Sequence, residues 1–387
     1  MTSPRPRIAM FSGNYNYVRD GANQALNRLV GYLLRKEVDV RVYSATTDTP
    51  AFPPTGDLVS VRSIPLPLGR AEYRMALGVT PATKRDLAAF KPDIVHVAAP
   101  DLLGHRAVSW ARKRGIPVLS SMHTRFETYP RYYGLAFMEP IVEALLRRFY
   151  RRCDAVVAPS ESMAQVMRQQ RMSYDIGIWA RGIDTSIFNP QRRDMDWRRD
   201  LGIADDEPVI GFLGRLVMEK GLDVFSDAID ALRAKGVRHK VLVIGEGPAR
   251  DWFESRLQNA VFVGFRSGAD LGQAVASMDM LFNPSVTETF GNVTLETMAC
   301  AIPVVAARAT GSENLVADGV TGRLVTPGSI SGYADALATY CTDTELRLRH
   351  GAAGAEASSA YDWDKVNNAV LETYQRLVRQ KSGSARV

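Results

Sequence analysis

Residues 280–307, MLFNPSVTETFGNVTLETMACAIPVVAA, decide the fold. A short apolar run ends at Pro284, a polar loop carries Glu288, a helical stretch carries Glu296, and a second apolar run begins at Pro303. Continuous apolar runs of this length, separated by a helix, are the mark of parallel strands buried on both faces. Outward from it the same unit repeats. PVIGFLGR (208–215), GLDVFSDAIDALRAKG (221–236), KVLVIGEG (240–247) and AVFVGF (260–265) precede it. An earlier set runs RIAMFS (7–12), ANQALNRLVGYLLRK (22–36), VDVRVYS (38–44), DIVHVAAP (93–100), IPVLSSMHT (116–124) and AVVAPS (155–160). The loop WARGIDTSIFNPQRRDMD (179–196) breaks the period between the two sets.

The expected fold is therefore α/β, with two Rossmann-like domains in tandem facing across a cleft: residues 1–183, then 184–361, with a helix over 362–380 packing back onto the first. A chain of 387 residues, 46% hydrophobic, has enough material for two cores. The polar end KSGSARV (381–387) is expected to fray.

Composition narrows the function classes. The basic N-terminal run is too short for a signal and reads as a first strand, and no apolar stretch approaches the ~20 residues that cross a bilayer. Three scattered cysteines, Cys153, Cys300 and Cys341, suit a reducing compartment, so a cytoplasmic location is expected. The net charge of +6 suits an anionic surface or a phosphate-bearing ligand, and no nucleic-acid partner is expected. Asp194 and Asp196 form a DMD triplet, but it lies in a linker beside Arg192 and Arg193 with no strand before it. It reads as a salt-bridged loop; no metal is expected.

In open α/β sheets ligands bind beyond the carboxyl ends of the strands, which singles out the residues just after each apolar run. Around Glu288 the backbone N–H groups of Phe290, Gly291 and Asn292 gather at a helix start, a natural anion site that fits a diphosphate. Gly291 lets backbone approach closely, and Glu296, a turn inside the helix, can accept from two vicinal ribose hydroxyls. Read alone, Glu288 and Glu296 could equally be solvated acids near a helix start. Arg215 and Lys220, in the loop after Gly214, can neutralise a leaving diphosphate, with Glu219 orienting Lys220. GEGP (245–248) is too short a glycine motif to argue from.

GRLVMEKG (214–221), GEGP and the Glu-x7-Glu segment, in that order, resemble the retaining GT-B glycosyltransferases of family 4. GNYNYVRDGANQALNRL (13–29), ARGIDTSIFNP (180–190) and YDWDKV (361–366) are similar to lipid-directed members, the mannosyl- and sulfoquinovosyl-transferases. The resemblance implies that Arg215 and Lys220 grip the donor phosphates, Glu296 holds the ribose, and Glu288, Thr289, Phe290 and Gly291 read the sugar. Gly264, Phe265 and Arg266 would flank the base. Gly21 and Ala22 would line the donor from the first domain, Ala22 standing where relatives often have a second glycine. His123 would polarise the transferred sugar or line the acceptor pocket; His96 sits in a similar place and reads as structural.

The implied reaction is retaining transfer of a hexose, with mannose from GDP-mannose as one candidate, to a membrane lipid or lipid-linked saccharide, without a cofactor. A nucleotide-sugar 2-epimerase or a non-catalytic nucleotide-sugar-binding protein are the alternatives. Residues 125–152 interleave aromatics with Arg125, Arg131, Arg147, Arg148, Arg151 and Arg152, which suits either an anionic membrane face or an amphipathic core helix.

Overall fold

The computed structural model describes residues 5–18, 20–65, 74–128, 130 and 134–384. The chain forms two compact units, Met1–Arg181 with Trp363–Val387, and Gly182–Asp362.

In the first unit the strands are β1 (Ile8–Ser12), β2 (Val40–Ser44), β3 (Asp57–Ser60), a small hairpin β4 (Ser63–Pro65) and β5 (Arg74–Ala76), then β6 (Ile94–Val97), β7 (Val118–Ser121), β8 (Ala155–Ala158) and β9 (Ile176–Ile178). All but the hairpin form one parallel sheet in the order β3-β2-β1-β6-β7-β8-β9. Strands β1, β6, β7 and β8 are buried at every position, which is why they read as unbroken apolar runs instead of alternating ones. Helix Gly21–Arg35 opens on a capping box: Asp20 accepts from the Asn23 amide at 2.8 Å, and Asn23 Oδ1 accepts from the Asp20 amide at 3.1 Å. The C-terminal helix Trp363–Ser384 joins this unit, burying Val370, Leu371, Tyr374 and Leu377 among residues of β1, β2 and helix Gly21–Arg35.

That helix runs through residues 381–384, where fraying was expected. Ser382 Oγ donates to Val378 O at 3.0 Å, which keeps the last turn satisfied; residues 385–387 lie outside the described residues.

The second unit holds β10 (Val209–Leu213), β11 (Lys240–Ile244), β12 (Val261–Gly264), β13 (Met280–Asn283), β14 (Val304–Ala307) and β15 (Gly322–Val325), parallel in the order β12-β11-β10-β13-β14-β15. Four phenylalanines, Phe212, Phe225, Phe253 and Phe282, pack ring against ring at its core. Asp194 caps helix Met195–Asp200 through the Trp197 amide at 2.9 Å, and Asp196 pairs with Arg199.

In each sheet the strand order reverses beside the first strand of the unit, between β1 and β6 and between β10 and β13. The loops leaving those two strands run in opposite directions and leave a crevice at their carboxyl ends. Those crevices are where site residues are to be sought.

Candidate functional site

In the second unit the crevice lies between the loop after β10, residues 214–221, and the loop after β13, residues 284–291. Lys220 and Glu288 meet there, Nζ to Oε1 at 2.6 Å, both side chains largely shielded. Around them the two loops touch along their backbones. Thr287 Oγ1 donates to Glu219 O at 3.3 Å, and a Cβ at Gly221 would sit 3.3 Å from Pro284. Glu219 itself is exposed; the carboxylate that holds Lys220 is Glu288.

Glycine closes the neighbouring strand ends. A Cβ at Gly245 would lie 1.9 Å from Gly214 O, and one at Gly247 would lie 2.3 Å from Leu216 O. Leu216 N–H donates to Glu246 O at 2.9 Å. GEGP is thus a latch that holds the Arg215 loop, and its glycines are there to let two backbones approach. Arg215 is exposed at the lip.

Gly291 caps helix Asn292–Ala299 with φ at +95°, in the left-handed region that favours glycine. Thr310 Oγ1 donates to Glu288 O at 2.8 Å, and Gly311 leaves the space into which the Glu288 side chain fits. The helix start follows Glu288 by three residues along the same loop. Asn292 Oδ1 is shut from solvent with no hydrogen-bond partner. Glu296 lies one turn inside, partly buried, and adds to the burial that pushes the Cys300 thiol up to about 12.

The Phe290 ring is 4% exposed and packs edge-on against Tyr361, with centroids 5.8 Å apart, so what this residue can turn to a ligand is its backbone. Thr289 is partly buried beside it. At the end of β12, Gly264 has φ of +73°, Phe265 presents its ring to solvent, and Arg266 Nε is buried without an acceptor.

In the first unit Gly21 and Ala22 open the helix capped by Asp20, whose carboxyl is pushed up by burial against the pull of the Asn23 and Ala22 amides. The crevice between β1 and β6 is filled by Asp101, which caps helix Leu102–Arg112 through Gly104 N at 2.7 Å. A Cβ at Gly13 would come 2.4 Å from Asp101 Oδ2, and burial pushes that carboxyl up to about 6. His123 follows β7. Its Nδ1 lies 2.9 Å from Arg181 Nη2 and its Nε2 lies 2.9 Å from Ser121 Oγ. Both nitrogens are engaged by the protein, so of its two implied roles, polarising the sugar and lining the acceptor pocket, the second is the one that needs no nitrogen turned to a ligand. His96 is fully buried between Ser121 and Tyr374, the structural role expected.

Asp101 and Arg181 were not singled out from sequence. Both stand just past an apolar run, DIVHVAAP before Asp101 and DIGIWA before Arg181, so the rule that found His123 would have found them.

Residues 19–187 match the family described as Glycosyltransferase Family 4, and residues 207–343 match Glycosyl transferases group 1. The sulfoquinovosyl transferase SQD2 of Arabidopsis thaliana is 30% identical over 94% of this chain and 72% of its own. The chain belongs to the family 4 glycosyltransferases. A GDP-mannose-dependent alpha-mannosyltransferase of Mycolicibacterium smegmatis is also 30% identical, over 97% of this chain and 99% of that one. Among solved structures, sucrose-phosphate synthase from Thermosynechococcus elongatus superposes with a TM-score of 0.75 at 20% identity, covering 97% of this chain and 100% of that one, which places the fold as GT-B. This glycosyltransferase is a nucleotide-sugar-dependent hexosyltransferase.

Proposed function

We propose that this glycosyltransferase moves a hexose from a nucleotide sugar, with retention of configuration, onto a membrane lipid or lipid-linked saccharide, and that GDP-mannose is the donor to test first. The Lys220–Glu288 pair at the second unit's crevice carries the reading. A cation held by a carboxylate is a poised counter-ion: an arriving diphosphate displaces Glu288 toward the sugar hydroxyls and takes over Nζ. Arg215 and the amides at Gly291 and Asn292 add donors aimed at the charge that grows on the leaving diphosphate. Glu296 would take the ribose hydroxyls, the Phe265 ring the base, and the unpartnered Arg266 Nε and Asn292 Oδ1 polar groups of the donor.

The bond between anomeric carbon and phosphate oxygen breaks as the acceptor oxygen bonds to that carbon from the same face. The acceptor proton passes to the departing phosphate oxygen, so no side chain has to act as base. Neutralisation by Lys220, Arg215 and the helix start makes a metal unnecessary for this step.

The lipid acceptor is supported by helix Glu139–Tyr150. It buries Leu146, Phe149 and Tyr150, as a core helix would, yet Ile141 and Leu145, spaced four apart, are 56% and 60% exposed, and Phe137, in the 3-10 turn just before it, is 73% exposed. Arg148 is exposed nearby, whereas Arg125 and Arg147 are paired with Glu127 and Glu143, and Arg131 lies outside the described residues. An apolar stripe beside exposed cations suits shallow insertion at an anionic interface and supports a peripheral seat on the inner face of the cytoplasmic membrane. Among the described residues no helix is long and apolar enough to cross one.

A thermal-shift panel of nucleotide sugars tests the donor: one present at 100 times its dissociation constant adds roughly 2.7 kcal/mol of stability. Lys220→Ala should remove that shift and lower kcat/KM about 10²-fold, or ~3 kcal/mol. Full donor affinity and turnover in Lys220→Ala and Glu296→Ala would sink the assignment, and donor consumption without acceptor would favour the epimerase.

A further inference from the structure

Five side chains of the first unit, drawn from four separate stretches of chain, form one buried hydrogen-bonded line. Arg181 Nη2 is 2.9 Å from His123 Nδ1, His123 Nε2 is 2.9 Å from Ser121 Oγ, Ser121 Oγ is 2.9 Å from His96 Nε2, and His96 Nδ1 is 2.5 Å from Tyr374 Oη. Tyr374 stands on the C-terminal helix, which is tied in a second time where Trp179 Nε1 donates to Asn367 Oδ1 at 3.1 Å.

A guanidinium has donors only, and that settles the tautomer of a neutral His123. Since Arg181 donates to His123 Nδ1, that nitrogen must carry the lone pair and Nε2 the proton. His123 Nε2–H then donates to Ser121 Oγ. The serine hydroxyl has one proton and two lone pairs, so toward His96 Nε2 it either donates or accepts a second time. In the first case His96 carries its proton on Nδ1 and donates to Tyr374 Oη; in the second it carries it on Nε2 and the Tyr374 hydroxyl donates to Nδ1. Both assignments satisfy all four contacts with neutral rings, and both hold His123 as Nε2–H.

We propose that Arg181 is a positioning residue of the transfer reaction: it locks His123 in the neutral Nε2–H tautomer, in a line that ends on the C-terminal helix. His123 so held neither takes nor gives a proton during transfer and serves as a fixed wall of the site. Both side chains are placed for this. Arg181 is buried, with Nη1 donating to Trp179 O at 3.0 Å and Ala180 O at 3.2 Å and its guanidinium 5.1 Å from the Trp179 ring, so it cannot swing away. The same indole packs edge-on against His123 at 5.5 Å.

The charged and titratable groups around His123 are Arg181 after β9, His96 on β6, Tyr374 on the C-terminal helix and, acting through Arg181, Asp20 at the start of helix Gly21–Arg35. Burial first, then Arg181, then His96, hold the His123 pKa well below the ordinary histidine value. Burial brings His96 down to about 3.

The activity readout rests on His123 lining the reaction site, as proposed above; the spectroscopic one does not, so the two ideas fail separately. The chain has five histidines, few enough to assign by substitution in nitrogen-15 spectra of the full-length protein. Wild-type His123 should show Nε2–H, with neither its ring nor that of His96 protonating between about pH 5.5 and 8. Arg181→Met removes the donor and the charge: His123 should become a tautomer mixture and begin to titrate in that window, and kcat, flat with pH in the wild type, should fall roughly tenfold on its acid side with donor KM unchanged. Arg181→Lys should restore the flat profile. Tyr374→Phe removes the partner of His96 Nδ1 and should leave His123 as Nε2–H. A wild-type His123 with its proton on Nδ1, or one that titrates as a free histidine, overturns the proposal, as does an Arg181→Met protein whose His123 signals are those of the wild type. Should Arg181→Met not fold, the wild-type and Tyr374→Phe spectra still decide.

Discussion

Each unit of this glycosyltransferase buries an arginine, and the two are treated in opposite ways. In the second unit Arg198, 1% exposed, donates to Asp279 Oδ2 at 2.9 Å, while Arg193 takes Asp279 Oδ1 at 2.7 Å and the Val209 amide adds a third donor at 2.8 Å. That carboxylate is saturated, and the two cations share it. In the first unit Arg181 donates to two carbonyls and an imidazole, and among the described residues no carboxylate reaches it at ion-pair distance. Asp20 acts on it only through space, and burial lowers its pKa to about 10. This carboxylate-held pair of arginines sits at the amino end of β10, where nothing but folding is asked of it. The unpaired one sits past the carboxyl ends of its strands, where an enzyme needs charge that is not already spent.

The contrast can be broken with one isosteric change in each unit. Asp279→Asn strands Arg198 in the interior and should cost about 3–5 kcal/mol in chemical denaturation. Burial pushes the Asp279 carboxyl upward, but Arg193 and Arg198 outweigh it and hold it below the ordinary carboxylate range. Its contribution is therefore present above that range and lost as the pH falls through the depressed value, so wild type and Asp279→Asn should converge in acid. An Asp279→Asn protein as stable as the wild type would remove the distinction between the two arginines.

Next in size is the acid sensitivity of the first unit. His96 is held neutral by burial with its pKa at about 3, while in the unfolded chain it titrates near the ordinary value of 6.5. The unfolded state thus binds the extra proton first, and stability present above 6.5 should fall by up to about 1.4 kcal/mol per pH unit below it. Hydrogen exchange of the β6 and β7 amides measures it; protection unchanged between about pH 7 and 5 would contradict the buried line.

Much of this was legible in the sequence, and where legibility ended has a physical reason. Strands such as Ile8–Ser12 and Val304–Ala307 are buried on both faces, so each appears as an apolar run whatever its neighbours. The helix start at Gly291 is local chemistry and could be read locally. The Lys220–Glu288 contact spans 68 positions and exists because β13, not β12, lies beside β10, an ordering that no linear pattern carries. The sequence therefore offered Glu219, the nearest carboxylate along the chain. For the same reason His123 could be found while its partner Arg181, 58 positions on, could not. The burial of Phe290 depends on Tyr361, which is remote from it in sequence.

The smallest expected effect is the most discriminating. Asp20→Asn keeps a good helix cap, since asparagine accepts from the Asn23 amide as aspartate does, and removes only the charge. Burial already raises the Asp20 pKa, so the folded state favours its proton, and stability it lends in acid is lost as the pH rises through that raised value. At neutral pH the variant gives up a through-space attraction to Arg181 and is relieved of a desolvated carboxylate, two terms of opposite sign. The net change should stay within about 1 kcal/mol. Paired with Asp279→Asn in the same denaturation series, it gives a difference of several kcal/mol between two chemically identical substitutions. A loss at Asp20 as large as that at Asp279 would mean that Arg181 depends on its carboxylate as Arg198 does, and that its charge is structural instead of held for the site.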